Sequence, residues 1–312
     1  MECMQELYNA IQQACLDTEA DTISLSGGLD STIIAYMTRN RRMQAISVIA
    51  EEFVSTDLTY AQMVSRDLNM QLHLMTPTLT EILEGARQTI NILGNFNDIE
   101  IRNSLVMYFA IKEAKRCKIE GIITGDGADE IFAGYNFLLR TQRLADEIRR
   151  LRSIMHFTSH KIGRFMGVRV ESPFLDGAVT DVASRIEAKE MVGLHKGNVM
   201  GKMILRRTFK GLLPPSILWR EKAPMQDGAG TVGLTDLLES LISDFQFETK
   251  ISRILREDGI QIRTKESLFY YEQYRNRFGA PPAGESDSHT CPYCKFTVGE
   301  SRFCRMCGAF PV

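Results

Sequence analysis

The sequence predicts an α/β protein built on a doubly wound parallel sheet, with a helical C-terminal part and a small cysteine-rich terminus. Three observations carry this. Over the first 130 positions, short β-branched runs alternate with helix-period segments, the pattern of a parallel sheet covered by helices. Two glycine-bearing loops follow directly on such runs, and loops at the carboxyl ends of parallel strands are where these sheets bind ligands. Four of the seven cysteines fall within the last 22 residues.

The elements follow in order. Met4, Leu7, Ile11 and Cys15 recur at helical intervals, so 4–16 is a helix. Thr22-Ile23-Ser24-Leu25 is a short strand that runs into Ser26-Gly27-Gly28, and a helix follows from Ser31 to Thr38. Gln44 to Ala50 is a second strand, with β-branched Ile46, Val48 and Ile49. Asp57 to Leu68 is helical, with Asp57 as its candidate cap. Gln71 to Met75 is a third strand, helices cover 79–92 and 101–117, and Gly121 to Thr124 is a fourth strand ending on Gly125-Asp126-Gly127. Beyond residue 130 the pattern is mostly helical. Gly279 to Ser288 has linker composition. The expected organisation is a main domain over 1–278, a linker over 279–290 and a cysteine module over 291–312. No internal repeat is visible.

Composition narrows the class. The 312 residues are 44% hydrophobic and 24% charged, ordinary for a globular protein. A net charge of −2 supplies no bulk basic field for nucleic acid, although a local basic patch stays open. No apolar run reaches the roughly 18 residues of a membrane helix. Met1-Glu2-Cys3-Met4 lacks the basic-then-apolar layout of a signal peptide. The expectation is a cytoplasmic protein with no membrane partner.

The first glycine loop reads Ser26-Gly27-Gly28-Leu29-Asp30-Ser31. Paired glycines let backbone N–H groups approach a phosphate closely, and the following helix points its positive end at the loop. Ser26 and Ser31 offer hydroxyls. Asp30 beside phosphate is repulsive unless a cation intervenes, which implies Mg²⁺. The pattern is not the lysine-bearing phosphate loop of Walker type. A plain glycine turn capped by Ser or Asp is the structural alternative, and the full six-residue context between a strand and a helix disfavours it.

These six residues resemble the PP-loop signature of ATP pyrophosphatases. Further segments narrow the resemblance. Thr124-Gly125-Asp126-Gly127-Ala128-Asp129-Glu130-Ile131-Phe132-Ala133-Gly134-Tyr135 is similar to the asparagine synthetase segment Ser-Gly-Glu-Gly-Ser-Asp-Glu-x-Phe-x-Gly-Tyr. Ser172-Pro173-Phe174-Leu175-Asp176 is similar to that family's Val-Pro-Phe-Leu-Asp. Lys202 to Arg207, Leu213-Pro214, Trp219-Arg220-Glu221-Lys222 and Asp227-Gly228 continue the match over about 20–240. The chain thus resembles the synthetase domain of asparagine and β-lactam synthetases. That resemblance implies a PP-loop, adenine nucleotide alpha hydrolase-like sheet. It implies adenylation of a carboxylate by ATP with Mg²⁺, then displacement of AMP by ammonia or another amine. It places nucleotide at Ser24, Leu25, Ser26, Gly27, Gly28, Leu29, Asp30, Ser31, Val48, Thr124 and Gly125, metal at Asp30 and Asp129, and catalysis at Asp126, Lys222 and Arg102. Lys222 is assigned to the α-phosphate. Glu130, like Asp129, suits either metal or the start of the helix that follows.

The substrate side departs from that pattern. Asp126 is one methylene shorter than the family's Glu, and about 1 Å of reach matters in a catalytic site. Ile99 and Glu100 replace two threonines ahead of Arg102 in a segment that resembles the aspartate-holding stretch. The family's Glu-x-Arg before Val-Pro appears here as Arg169-Val170-Glu171, a double charge reversal that suggests a preserved ion pair with its partners exchanged. The glutaminase domain of the glutamine-dependent enzymes is not matched, and Cys3 behind Glu2 does not replace its nucleophile. Ammonia is therefore expected from solution or from a separate glutaminase subunit.

Cys291-x-x-Cys294 and Cys304-x-x-Cys307, nine residues apart, have zinc-ribbon spacing. Four thiolates close a tetrahedral Zn²⁺ site, with redox disulfides as the alternative. A module this small folds on its metal. Because ribbons also meet RNA, a tRNA-modifying PP-loop enzyme is the second reading, to which Arg140, Arg143, Arg149, Arg150 and Arg152 contribute a candidate basic cluster. A solvated helix face interrupted by Asp146 and Glu147 is the preferred view of that cluster. The five histidines show no metal or triad spacing.

Overall fold

The structure is a computed structural model and describes residues 2–50, 57–221, 228–231, 233–284, 289–298 and 302–312. The chain divides into two compact units interleaved in sequence. The first comprises Met1–Ile49, Thr56–Met75 and Ala110–Pro224, and the second Ala50–Ser55, Thr76–Phe109 and Met225–Val312.

The first unit is built on a five-stranded sheet. Its strands are β1 (Thr22–Ser24), β2 (Gln44–Val48), β3 (Gln71–Met75), β4 (Gly121–Ile123) and β5 (Arg169–Glu171). Their order is β3-β2-β1-β4-β5 and every neighbouring pair is parallel. The four expected strands are all present. Chain order reverses between β1 and β4, so the two glycine loops leave adjacent strands at a topological switch point, where open α/β sheets bind ligands. The central strands carry buried Ile23, Ala45, Ile46 and Ile123, which rules out a solvated face and requires helices on the sheet.

The helices are α1 (Glu2–Leu16), α2 (Leu29–Met37), α3 (Asp57–Asp67), α4 (Leu79–Leu93), α5 (Asp98–Arg116), α6 (Ala128–Ile131), α7 (Leu144–Ser153), α8 (Thr158–Met166), α9 (Gly177–Arg185), α10 (Met203–Thr208) and α11 (Pro215–Leu218). The periodicity of α1 puts Leu7, Ile11 and Cys15 in the core, and burial pushes the Cys15 thiol up to about 12, that of a packing group. Helix α2 begins at Leu29, two residues earlier than expected. Gly28 is extended and serves as N-cap without a side-chain bond, so nothing delays the helix. Asp30 and Ser31 consequently lie in the first helical turn.

Asp57 is the first residue of α3, and its carboxylate pairs with Arg220 Nη2 at 2.8 Å. That ion pair, more than capping, is its use. Helix α5 starts three residues ahead of expectation, because the Asn97 side chain accepts from Glu100 N at 3.3 Å and so caps it.

The second unit is largely helical. Besides α4 and the start of α5 it holds α12 (Gly233–Leu241), α13 (Asp244–Asp258) and α14 (Lys265–Phe278). Phe96 packs edge-on against Tyr271 with ring centroids 5.0 Å apart, and α14 lies on α4.

At the edge strand β5, Arg169 Nε lies 3.2 Å from Glu171 Oε1. The reversed charges form an ion pair, as the sequence suggests. Glu171 also accepts from Ala20 N at 2.8 Å and from Glu19 N at 3.3 Å. Glu171→Arg strips acceptors from two backbone donors and sets two guanidinium groups together. Leaving the N–H of buried Ala20 unpaired costs about 1–3 kcal/mol. Thermal melting is expected to fall by several degrees, and an unchanged melting temperature would show that the pair has no structural role.

Candidate active site

The loop after β1 is shaped by what glycine permits. Gly27 has φ of +67°, and a Cβ there would lie 2.5 Å from the backbone of Tyr60. The loop therefore lies directly on α3. Ser26 Oγ and Ser31 Oγ face each other at 3.2 Å, and Gly28 N donates to Ser26 Oγ at 3.2 Å. Since no side chain caps α2, its first N–H groups are available to an anion. Arg220 ties this loop to α3. Its Nη1 donates to Ser26 O at 3.5 Å and its guanidinium stacks 4.0 Å over Tyr60. Buried Arg206 in turn holds the backbone carbonyls of Gly201, Leu218 and Arg220.

The loop after β4 meets the first loop closely, since a Cβ on Gly125 would lie 3.1 Å from Asp30 Cβ. Gly127 has φ of +92°, and a Cβ there would strike Leu175 at 2.3 Å. Between the loops stands Lys202, whose side chain is only 4% exposed. Its Nζ is 2.5 Å from Asp30 Oδ2 and 2.6 Å from Asp129 Oδ1. Burial opposes the charge of Lys202, but Asp129 and Asp30 outweigh it and raise the pKa. Lys202 is thus an ammonium across the working pH range. Its backbone is left-handed, with φ of +56°, and Lys202 N donates to Phe132 O at 3.1 Å. The space is made by Gly134, where a Cβ would lie 1.8 Å from Asp129 Oδ1 and 2.3 Å from Lys202 Cε.

Two carboxylates against one lysine leave a net negative site. Asp30 Oδ1 is buried and has no hydrogen-bond partner among the described residues. An orphaned buried carboxylate oxygen beside a second carboxylate fits a hard divalent cation such as Mg²⁺. Glu130 serves otherwise. Tyr135 donates to its Oε1 at 2.5 Å, and burial pushes both groups' pKa values up.

The structure therefore brings Ser26, Gly27, Gly28, Asp30, Ser31, Thr124, Gly125, Asp126 and Asp129 together at the switch point. Ser24 ends β1 and Val48 ends β2. Leu25 and Leu29 are buried in the core, which leaves only their backbone for a ligand. Arg102 belongs to the second unit, where it pairs with Glu266 and donates to Thr235 Oγ1 at 3.0 Å. Glu100 there accepts from Asn95 Nδ2 at 2.8 Å, and Ile99 is exposed. Lys222 and Asp227 lie outside the described residues. Reasoning from sequence left Lys202, Gly134 and Arg220 without site roles, although all three stand within the motif segments. Lysine, glycine and arginine show their use only when the facing loop is in place.

The four terminal cysteines come together in the second unit. Cys291 and Cys307 sulfurs are 3.7 Å apart, and those of Cys294 and Cys304 are 3.5 Å apart. All four ligand atoms lie within 4.8 Å of one another. Metal–sulfur bonds of about 2.3 Å in a tetrahedron require sulfurs about 3.8 Å apart, so the set fits Zn²⁺. The cysteines are free thiols, not disulfides. Hydrogen bonds from Cys294 and Cys307 lower the pKa of the Cys304 thiol. Each Cys-x-x-Cys closes on a left-handed residue, Lys295 with φ of +61° and Gly308 with φ of +73°. This module is docked, not free. Phe96 N donates to Met306 O at 2.9 Å, Gln261 N to Tyr293 O at 2.8 Å, and Arg263 Nη2 to Cys307 O at 3.1 Å. Gly308 sits against Asn97 and Asp98, where a Cβ would lie 2.7 Å from Asn97 Oδ1. The module thereby holds the start of α5 at Asp98, four residues before Arg102.

The asparagine synthase family model matches residues 2–166 and 158–291. The chain belongs to the asparagine synthase family. Among curated relatives, the glutamine-hydrolysing asparagine synthetase B of Escherichia coli K12 is 30% identical over 334 residues, covering 98% of this chain and 59% of its own length. A probable glutamine-hydrolysing asparagine synthetase of Dictyostelium discoideum is 28% identical, covering 81% of this chain and 50% of its own length. The chain thus spans little more than half of these relatives. Among solved structures, the NMN synthetase of Francisella tularensis matches with a TM-score of 0.40 and 16% identity, over 91% of this chain and 98% of that one.

The features invoked for RNA look different in three dimensions. Arg143 and Arg149 pair with Asp146, and Arg150 pairs with Glu147. Arg152 turns inward to Ile131 O and Ala183 O. Four of the five arginines are thus engaged within the fold, three of them by the two carboxylates of their own helix, and the comparisons lend tRNA no support. Among the described residues no helix is long and apolar enough to cross a membrane.

The glycine at 134 gives the sharpest test of this geometry. Gly134→Ala must displace the Lys202–Asp129 contact. Isothermal titration with ATP and Mg²⁺ is expected to show binding weakened ~10-fold or more, equivalent to about 1.4 kcal/mol. Gly177→Ala, where a Cβ meets open space, should bind as the unaltered protein does.

Proposed function

We propose that this chain is an ATP-dependent, AMP-forming carbon–nitrogen ligase. It adenylates a small carboxylic acid, aspartate or an analogue, with release of pyrophosphate, and then joins the acyl group to ammonia or another amine. The observation that carries this is the pairing of buried Lys202 with Asp30 and Asp129 across the two switch-point loops. Membership in the asparagine synthase family supports the same reading.

Triphosphate approaches the N–H groups opening α2 and the hydroxyls of Ser26 and Ser31. Asp30 and Asp129 would hold Mg²⁺, which when bound would offset their repulsion of phosphate and supply charge stabilisation to the pyrophosphate leaving group. Lys202 is poised to move its ammonium from the carboxylates to phosphate oxygen without leaving its buried slot. A preorganised cation in such a site stabilises charge that develops on the leaving group. Lys222, two residues beyond Arg220, is proposed for the α-phosphate. Ser24, Val48, Thr124 and Gly125 line the ends of the strands where adenosine is proposed to bind. Asp126 is the proposed acceptor of a proton from the incoming amine. Arg102, its charge shared with Glu266, is proposed to steady the acid, and Glu100, two positions earlier in the sequence, is proposed to favour an acid that differs from aspartate or carries an amine. Ammonia, free or released by a glutaminase, is the proposed amine. The cysteine module is proposed to bind Zn²⁺ structurally, with no open position for chemistry.

Two measurements check these proposals. Isotope exchange between ATP and pyrophosphate, screened over aspartate and related acids, is expected for at least one acid and to drop at least ~100-fold in Asp30→Asn, the scale of losing one preorganised electrostatic group. Absence of exchange with every acid, in protein that binds ATP, would sink the ligase assignment. Metal analysis is expected to find one zinc per chain, lost in Cys294→Ser. That loss should lower the melting temperature, because the module is docked on residues 96–98. A metal-free chain with unchanged melting would contradict the zinc assignment.

A further inference from the structure

Asp126 does not stand alone at the end of β4. Its Oδ2 accepts from Thr124 Oγ1 at 2.8 Å and from Ser159 Oγ at 2.5 Å. Thr124 Oγ1 lies 2.9 Å from Ser172 Oγ, and Ser172 Oγ lies 2.9 Å from His160 Nε2. Thr124 and Ser159 are each 2% exposed, so these bonds are formed almost out of water. Four elements meet here: the end of β4, the loop after it, the first turn of α8, and the residue that follows β5. Helix α8 packs on β5, which fixes His160 relative to Ser172.

Donor counting fixes the direction of every bond in this chain. An ionised carboxylate only accepts, and a hydroxyl has one proton to donate. Thr124 donates its proton to Asp126, so it must accept from Ser172. Ser172 has then spent its own proton and must accept from His160. His160 must therefore carry its proton on Nε2. The polarity of the chain runs from imidazole to carboxylate, and both contacts on Asp126 converge on Oδ2. That leaves Oδ1 for the substrate. Ser172 is the linking member, and it stands where the related family motif has valine. The hydroxyl bridge therefore accompanies the shortened carboxylate at 126.

We propose that His160 is a positioning residue for the amide-forming step, acting through Ser172 and Thr124 to hold Asp126 Oδ2 and present Oδ1 to the amine. This rests on the ligase reading above. Thr124 and Asp129 on the same side serve the proposed nucleotide and metal, but Asp126 itself is assigned to the amine, so the ratio of amide formation to exchange reads the second half-reaction. His160 does not touch the reacting atoms. Its removal frees the Ser172 proton to turn away, Thr124 loses its reason to point at Asp126, and the carboxylate gains rotational freedom. Loss of alignment by even about 1 Å at a reacting group is costly.

The test has two arms, both on the full chain. In the first, the acid that supports ATP–pyrophosphate exchange is used with ammonium chloride, and amide formation is compared with exchange. In His160→Phe the ratio of amide formation to exchange is expected to fall at least tenfold. His160→Gln, which keeps an N–H donor, should recover most of it. An unchanged ratio in His160→Phe, or no better ratio in His160→Gln, would overturn the proposal. In the second arm, imidazole ¹⁵N spectra of histidine-labelled protein should show His160 protonated on Nε2, and Ser172→Ala should change that signature. An Nδ1-protonated His160, or a signature indifferent to Ser172→Ala, would overturn it as well. A lack of exchange with every acid instead refutes the ligase reading, and the spectra then decide the hydrogen-bond chain without reference to activity.

Discussion

Lys202 sits between Asp30 and Asp129 with its ammonium almost wholly removed from water. Neither the lysine nor the two carboxylates would be tolerable there separately. Removing one partner of such a buried set typically costs about 3–5 kcal/mol, because a charge is left uncompensated. Much of the first unit serves this contact. The parallel order β3-β2-β1-β4-β5 brings the two loops side by side, and Gly125 and Gly134 clear the volume that side chains would fill. Arg206 then fixes the segments on either side of Lys202 and Arg220 by their backbone carbonyls. Two carboxylates face one ammonium here, and Asp30 Oδ1 has no hydrogen-bond partner among the described residues. A site in that condition suits a cation and an anion arriving together, as in the magnesium–nucleotide complex proposed above.

The two carboxylate positions on the β4 loop have been given different surroundings. Asp129 faces a buried ammonium. Asp126, three residues earlier, takes its hydrogen bonds among the described residues from hydroxyls: Thr124 and Ser159 bond it directly, and Ser172 reaches it through Thr124. The first environment suits charge neutralisation near phosphate, the second a carboxylate that holds its orientation and accepts a proton. Such a division of labour between neighbouring carboxylates is set by environment, not by residue type.

The second unit shows a related economy. Its cysteine module is bonded to Phe96 and Arg263 and abuts Asn97 and Asp98, at the capped start of the helix that carries Arg102. Arg102 is itself held by Glu266, whose pKa burial raises and Arg102 lowers. A small four-cysteine module can thus act as a clamp on a helix terminus, and the zinc proposed for it would link metal loading to the order of that terminus.

Much of this was legible in the one-dimensional pattern. Four of the five strands, the helices between them and the two glycine loops follow from period and punctuation, because buried parallel strands and amphipathic helices leave strong local signatures. The ion pair of Arg169 and Glu171 was readable from a paired charge reversal, since strand residues two apart share a face. The four-cysteine cluster was readable from spacing, since Cys-x-x-Cys places two thiols on one turn. Other features had no local signature. Lys202 lies 172 positions from Asp30, and a lysine in a short turn looks like any solvated lysine until the opposing loop is present. His160 has no informative spacing at all, because its link to Asp126 runs through hydroxyls on two other elements. By itself, then, the sequence determined the sheet, the phosphate-binding loop and the thiol set, each written in residues close along the chain. Only the tertiary structure decided which charges face one another at the switch point, because burial and opposition across the sheet are properties of segments that never meet in sequence.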